Sequence, residues 1–446
     1  MSNLRRNIFF TFITQFPTQF LGIIAGIFIT RMIGPDGRGA YSIFLADVDL
    51  CVTIFGFSIS NAIIYYFASG KIYKSKIYGI SLVIVFFATI LFVIVTLIIL
   101  FSGFGAYFFP KDHITVLMIL WFVSATFITL LSNVFNGIFQ GYREFNIVNK
   151  VAISNSVFNI LIFFLIFIYH KITHSIISVE YVLILTLVAL VMNMGLWYYN
   201  LNKYHKRLKP VLKVSFKEEV LPLLKFLGIG HLSNIINFLN YRFSLWIIAI
   251  YLSVAEVGYF GLASGIAGML NLVATPISSV LMPYLSKEVG KKRRKIFAQY
   301  SRLNFTIILF ACTIGFFIAP IVIPFVYGKE FTPAILIFQI SLVGTLFTAQ
   351  NKIMGIFNIS DNMQKINLYA TIIGLFLTVT NSFILIPNYG LIGATICNLI
   401  TYLSMFIFLY INFTLRDNSI FSNIFIVNKS DKKNIQAIYE RKRRGN

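Results

Sequence analysis

Arg242 and Lys352 stand inside apolar runs long enough to cross a lipid bilayer. A cation at that depth is costly, and by default it marks a functional group. A guanidinium can hold an anion's oxygens bidentately, a task that helix packing does not require. Arg242 lies about eight residues from the end of its run, too deep to reach the interface easily; it either faces a cavity or forms a structural ion pair. Lys352 lies about five residues from the end of its own run, where it either snorkels to water or meets an anion at the inner side. Asp47 and Asp49 sit two residues apart on another run, about 200° apart on a helix, so they cannot share a face. One is expected to look into a cavity, where a proton-coupling role stays open, and the other to cap a packing contact or reach the interface. Asn234, Asn237 and Tyr241 share one helical face, as do Asn155 and Asn159. Such amides and phenols either bond helix to helix or bind the hydroxyl groups of a ligand.

Other reactive residues point nowhere in particular. His170 and His174 have i, i+4 spacing without a third metal ligand, and His231 reads as a packing residue. Cys51, Cys312 and Cys397 lie inside apolar runs without C-x-x-C spacing, so they read as small core residues. No Gly-rich phosphate loop, H-E-x-x-H or G-x-S-x-G motif is present, so neither ATP hydrolysis nor any cofactor is expected.

The elements that must position these groups follow from composition. The chain has 446 residues, 58% apolar and 12% charged, about half the charge of an ordinary soluble domain. Its mean hydropathy is +0.83. Twelve apolar runs of spanning length fall at roughly 7–30, 41–67, 79–101, 114–139, 151–169, 181–201, 226–250, 259–285, 303–326, 334–357, 367–386 and 391–413. Alternating strand-like segments are absent, so the expected fold is an all-α polytopic membrane protein. The first run is too long for a secretory signal and is expected to stay in the membrane. Net charge is +22, but the basic residues punctuate apolar runs and form no stripe, which argues against nucleic-acid binding. With the N-terminus inside, 30 of the 37 Lys and Arg fall in inner segments and five in outer loops. By the positive-inside rule both termini are cytoplasmic. The clusters 291–295 and 441–444 then read as contacts to anionic membrane lipids. Outer loops of about ten residues or fewer leave no room for an extracytoplasmic catalytic domain.

Two passages recur half a chain apart. Asn133-x-x-x-Gly137-Ile138-Phe139, followed by Asn149, matches Asn351-x-x-x-Gly355-Ile356-Phe357, followed by Asn367, at an offset of 218. Ile33, Gly39 and Tyr41 match Leu252, Gly258 and Phe260 at 219. The spacing predicts parallel six-helix bundles at 1–201 and 226–413, a basic cytoplasmic linker at 202–225 and a basic tail at 414–446. Parallel repeats of this kind place a substrate path at their interface and work by alternating access.

The run Arg31-Met32-Ile33-Gly34-Pro35-Asp36-Gly37-Arg38-Gly39-Ala40-Tyr41 resembles the R-x-[LI]-G-P-[ED]-G-R-G-x-Y motif of oligosaccharide flippases of the polysaccharide biosynthesis family. These belong to the superfamily of multidrug, oligosaccharidyl-lipid and polysaccharide exporters. Similar passages are Phe139-Gln140-Gly141-Tyr142-Arg143, Pro283-Tyr284-Leu285-Ser286, Val326-Tyr327-Gly328-Lys329-Glu330-Phe331 and Ile386-Pro387-Asn388-Tyr389-Gly390-Leu391-Ile392-Gly393-Ala394. The family's Gly-Pro-Glu turn after helix seven is Ser253-Val254-Ala255 here. The resemblance implies a MATE-like fold, and no enzyme. It further implies a polyprenyl-diphosphate-linked oligosaccharide flipped across a bacterial plasma membrane for O-antigen or capsule, with polymerase and other assembly proteins as partners of a monomeric carrier.

For such a cargo, Arg242 and Lys352 would meet the diphosphate, and Asn155, Asn159, Asn234, Asn237 and Tyr241 the sugar. Asp47 and Arg242 lie roughly 10 and 12 Å below the outer ends of helices two and seven, at 1.5 Å per residue. Equal depth and opposite sign suggest a gate in which Asp47, or failing it Asp49, pairs with Arg242 when the outer side is closed. Two alternatives remain: a multidrug exporter of the same fold, and a membrane glycan polymerase or ligase.

Overall fold

A computed structural model describes residues 2–415 and 425, apart from 70, 71, 104, 106–108, 110–114, 176, 214, 288, 289 and 362. The expected basic tail therefore lies almost wholly outside the described residues. The described chain is helical: α1 (Ser2–Phe55), α2 (Ile59–Ser69), α3 (Lys74–Phe101), α4 (Val116–Gly141), α5 (Phe145–Thr173), α6 (Val179–Tyr204), α7 (Leu221–Tyr251), α8 (Val254–Met269), α9 (Asn271–Lys287), α10 (Gly290–Tyr327), α11 (Ala334–Ser360) and α12 (Gln364–Thr414). Eight of these are long and apolar enough to cross a membrane. A helix satisfies its own backbone, which apolar surroundings demand.

Two of the helices are folded in half. In α12 the backbone leaves the helical region at Gly390, with φ 58° and ψ −137°. Thr378 pairs with Thr401 at 2.9 Å and Ser382 with Cys397 at 3.4 Å, so the two arms run antiparallel about residues 389–390. Gly34 does the same to α1, with φ 65° and ψ −171°. Gly22 and Gly26 of its first arm line one cavity with Tyr41 and Leu45 of its second. A residue with a Cβ is strained at such positive φ, so glycine is needed at both reversals. Pro35 follows Gly34 as the first residue of the new arm, where its missing N–H costs nothing.

Counted by passes, α1 supplies the first and most of the second, which α2 completes. The eighth is α8 plus α9, and α12 supplies the last two. Twelve passes result, matching the twelve apolar runs. Ser253 starts α8 with a capping box, its Oγ accepting from Glu256 N at 3.3 Å while the Glu256 carboxylate accepts from Ser253 N at 2.9 Å.

The buried core falls into four clusters. Two draw almost entirely on α1–α6, one around Phe44, Phe92 and Trp121 and one around Ile63, Phe139 and Trp197. A third joins α9–α12 around Phe297 and Phe357. In the fourth, Ile43 and Ala46 of the second α1 arm pack among residues of α7, α8, α10, α11 and α12. That arm is the main bridge between early and late helices.

The basic segment 202–225 lies against the ends of α3 and α4. Val211 N donates to Ser75 O at 3.0 Å, and a Cβ on Gly79 would come within 1.8 Å of Val211 O. His205 bonds Glu144 at 2.8 Å and stacks on Tyr142 at 3.9 Å between ring centroids. Lys74 sits 4.0 Å from the same Tyr142 ring. The passage Phe139–Arg143 is thus the anchor of this segment.

Candidate functional site

Two passes are interrupted at mid-depth. The second unwinds between α1 and α2, where Phe57 and Ser58 take φ of 46° and 52°. The eighth tightens at Leu270, between α8 and α9, where Leu270 N donates to Ala267 O at 3.1 Å while its dihedrals stay helical. Interrupted helices are where repeat-built carriers bind cargo; the two here are not repeat counterparts, since positions 57–58 correspond to 276–277. Sequence reasoning treated 41–67 and 259–285 as continuous. Gly56 and Gly268, each next to a break, were the available signal.

Cavities open at both breaks and run together. At the first break, Ser58, Ser60, Asn133, Asn234, Asn237 and Tyr241 help line about 380 Å³. Asn234 Nδ2 donates to Ser58 Oγ at 3.0 Å, linking α7 to the break. At the second, Tyr241, Arg242, Asn271, Thr348, Asn398 and Tyr402 help line about 280 Å³. Towards the basic side, Asn237, Tyr241 and Asn271 recur with Lys352, Asn351 and Asn367 around about 460 Å³. Tyr241 borders all three spaces, with its ring 5.4 Å from that of Tyr402. A fourth cavity of about 360 Å³ lies between both α1 arms, α5 and α8, and includes Arg38, Asn155, Asn159 and Tyr327. It shares Gly265 with the Arg242 cavity.

The structure therefore brings Arg242, Lys352, Asn234, Asn237 and Tyr241 onto one set of connected walls, with Asn155 and Asn159 on an adjoining one. Asn159 Nδ2 donates to Asn155 O at 2.8 Å, so part of this pair is committed to its own helix. Lys352 Nζ donates to Thr275 Oγ1 at 2.7 Å inside its cavity. Arg38 was legible only as part of a motif. Here it borders a cavity 5.5 Å from the Tyr41 ring centroid, and its buried Nε has no hydrogen-bond partner. Asn271 and Thr348 are further lining groups that sequence spacing did not single out, and Asn367, legible in the sequence only as a repeat position, is another.

The two aspartates are sorted by the 200° between them. Asp49 Oδ2 lies 3.4 Å from Arg242 Nη2, with 54% and 40% of the side chains exposed, respectively. Asp47 is fully buried, and Trp246 Nε1 donates to its Oδ1 at 2.7 Å. The expectation that Asp47 partners Arg242 is corrected: Asp49 does. Trp246 is one turn along α7 from Arg242 and occupies Asp47 instead.

On the outer side, where few Lys and Arg fall, the remaining motif residues hold early and late helices together. Arg31 donates to the carbonyls of Val326, at 2.7 Å, and Phe325, both at the end of α10. A cation is favourable at that helix terminus. Gly39 packs on Val254, whose carbonyl oxygen would stand 1.8 Å from a Cβ, and Gly258 packs on Pro35 O, at 2.2 Å. Gly37 packs inside its own turn against Ile33 and Val179, while Asp36 is exposed. Arg31, Pro35 and Gly39 thus fasten the outer side, leaving Arg38 and Tyr41 as the motif's cavity residues.

The His231 ring lies 5.2 Å from that of Phe57, tilted by 34°, beside the first break. His170 Nδ1 lies 2.7 Å from Ser175 O, and no metal-binding cluster occurs among the described residues. The three cysteines are free and buried.

Residues 4–289 match the family model described as polysaccharide biosynthesis protein. The capsular polysaccharide biosynthesis protein CapF of Staphylococcus aureus is similar, 23% identical over 407 residues, which cover 88% of this chain and 94% of CapF. An inward-facing multidrug resistance MATE family transporter of the MOP superfamily matches the fold at TM-score 0.71, 18% identity, 90% of this chain and 96% of its own. Lipid II flippase MurJ, in an inward closed conformation, matches at TM-score 0.70, 16% identity, 91% of this chain and 87% of its own. The matched family model covers most of the twelve-pass fold and all of the outer-side motif, so this chain belongs to the polysaccharide biosynthesis protein family, built on a MATE-like, multi-pass membrane fold.

Proposed function

We propose that the protein flips a polyprenyl-diphosphate-linked oligosaccharide from the inner to the outer leaflet of a bacterial plasma membrane. Passes one to six (1–201) and seven to twelve (226–413) act as two bundles that rock against each other, tied by the linker 202–225. The observation that carries this reading is the Arg242–Asp49 pair. It joins the two bundles, it is long at 3.4 Å, and it borders the connected cavities. A half-exposed pair of that length contributes little by itself, so a diphosphate can displace the carboxylate at low cost. Its oxygens would take the guanidinium bidentately, with Arg38 as a second cation. Freed Asp49 no longer ties helix two to helix seven, which couples cargo arrival to outward opening. Amides and hydroxyls around Tyr241 offer partners to sugar hydroxyls.

A multidrug exporter of this fold is disfavoured by the lining, because cationic drugs would face Arg38, Arg242 and Lys352. Polymerase and other polysaccharide-assembly proteins would act on the flipped product. Arg242→Ala tests the reading in cells. Surface polysaccharide should disappear while the protein still reaches the membrane, and display at the wild-type level would remove Arg242 from the site.

A further inference from the structure

We propose that Lys352 binds a carboxylate on the glycan, so that the cargo is an acidic repeat unit of the uronic-acid class; this rests on the flippase reading above. Among the described residues the cavity around Lys352 is otherwise neutral. Its described polar lining is Asn237, Tyr241, Asn271, Thr348, Asn351, Asn367 and Thr371, with no carboxylate. Thr275 Oγ1, at 2.7 Å, occupies one of the three ammonium donors and brings no charge. Among the described residues no ion pair includes Lys352. A cation held at membrane depth with two free donors and no counter-charge calls for an anion from the cargo.

The diphosphate is not the natural candidate for that anion. Arg242 borders a different space, which meets the Lys352 cavity at Tyr241, Asn271 and Thr348. From there Lys352 follows Thr348, and Thr275 follows Asn271, by one helical turn of about 5.4 Å towards the inner side. The two cations stand in series along one wall, with amides and hydroxyls between them. A diphosphate beside Arg242 would send its first sugars past Asn271 and Thr348 and bring a substituent of the glycan to Lys352. An ammonium is a point donor on a flexible stem, suited to a single carboxylate whose orientation varies from sugar to sugar.

The test uses full-length protein in lipid vesicles and two probes: a polyprenyl diphosphate disaccharide ending in a uronic acid, and its counterpart ending in the neutral hexose. Wild-type protein should move the acidic probe about tenfold faster, the ratio that one hydrogen bond between charged groups supplies. Lys352→Gln should bring the acid-to-neutral ratio close to one, and Lys352→Arg should restore most of it. Equal wild-type rates for the two probes would overturn the proposal while leaving the flippase reading intact. A Lys352→Gln protein that slows both probes by the same factor would also overturn it, because the lysine would then hold the shared diphosphate. Wild-type protein that moves neither probe would fail the flippase reading and this proposal with it.

Discussion

Gly39 and Gly258 make the same contact from opposite sides of the molecule. Gly39 lies on the carbonyl of Val254, and Gly258 lies on the carbonyl of Pro35. The two glycines are 219 residues apart, and so are Pro35 and Val254. Each contact is therefore the other's counterpart under the sequence repeat, as a two-fold axis between bundles would produce. Arg31 reinforces this clasp by holding the end of α10.

Gly39→Val and Gly258→Val should prevent the clasp from forming. A Cβ alone would stand 1.8 or 2.2 Å from a backbone oxygen, and backbone cannot yield as a side chain can. Ser42, against which Gly261 packs, supplies a reporter position. In a Ser42→Cys background, either valine should raise labelling by a membrane-impermeant maleimide from outside severalfold. Unchanged labelling would mean that the glycine contacts do not govern outer closure.

Asp47 and Asp49 should separate cleanly by experiment. Asp47→Ala leaves the buried Trp246 N–H without its acceptor and should cost about 1–3 kcal/mol, seen as a lower melting temperature in detergent. Asp49→Ala should change stability by about 1 kcal/mol or less while impairing surface polysaccharide display. The reverse pattern would assign the gate to Asp47.

Tyr142→Ala should release the linker. It removes the ring that Lys74 and His205 contact, a loss of about 1 kcal/mol for the Lys74 cation–π pair, with the stack on His205 lost as well. Limited proteolysis within 205–213 should speed up. Burial, and then the charge of Glu144, holds the Tyr142 phenol above its usual range. A raised phenol pKa keeps the ring neutral until well into alkaline pH, so the Tyr142 contribution to linker protection should persist from about pH 7 to 9. Loss of that contribution within this window would contradict the anchoring role.

Much of the fold was legible because a bilayer allows few solutions. Apolar run length specifies twelve passes, since each pass must satisfy its own backbone. Glycines at 34 and 390 mark reversals for the same reason that they mark them in soluble turns. The site was harder to read. Spacing placed Arg242, Asn237 and Tyr241 on useful faces, because a helical face is a local property. Which of Asp47 and Asp49 meets Arg242 depends on how helix two is rotated against helix seven, and no local pattern encodes that rotation. The breaks at Phe57–Ser58 and Leu270 were hidden for a related reason: both sit in sequences apolar enough to read as continuous helix. Arg38 counted as an outer-loop charge, yet the turn at Gly34 carries it back against the cavity.

The most direct measurement is translocation by purified protein in vesicles, with a fluorescent polyprenyl diphosphate glycan in both leaflets and an impermeant quencher outside. Wild-type protein should expose the inner-leaflet pool to quenching at a rate that scales with protein content. Arg242→Ala should reduce that rate to the level of empty vesicles. Equal rates with and without wild-type protein, or full activity in Arg242→Ala, would contradict a flippase that grips diphosphate at Arg242.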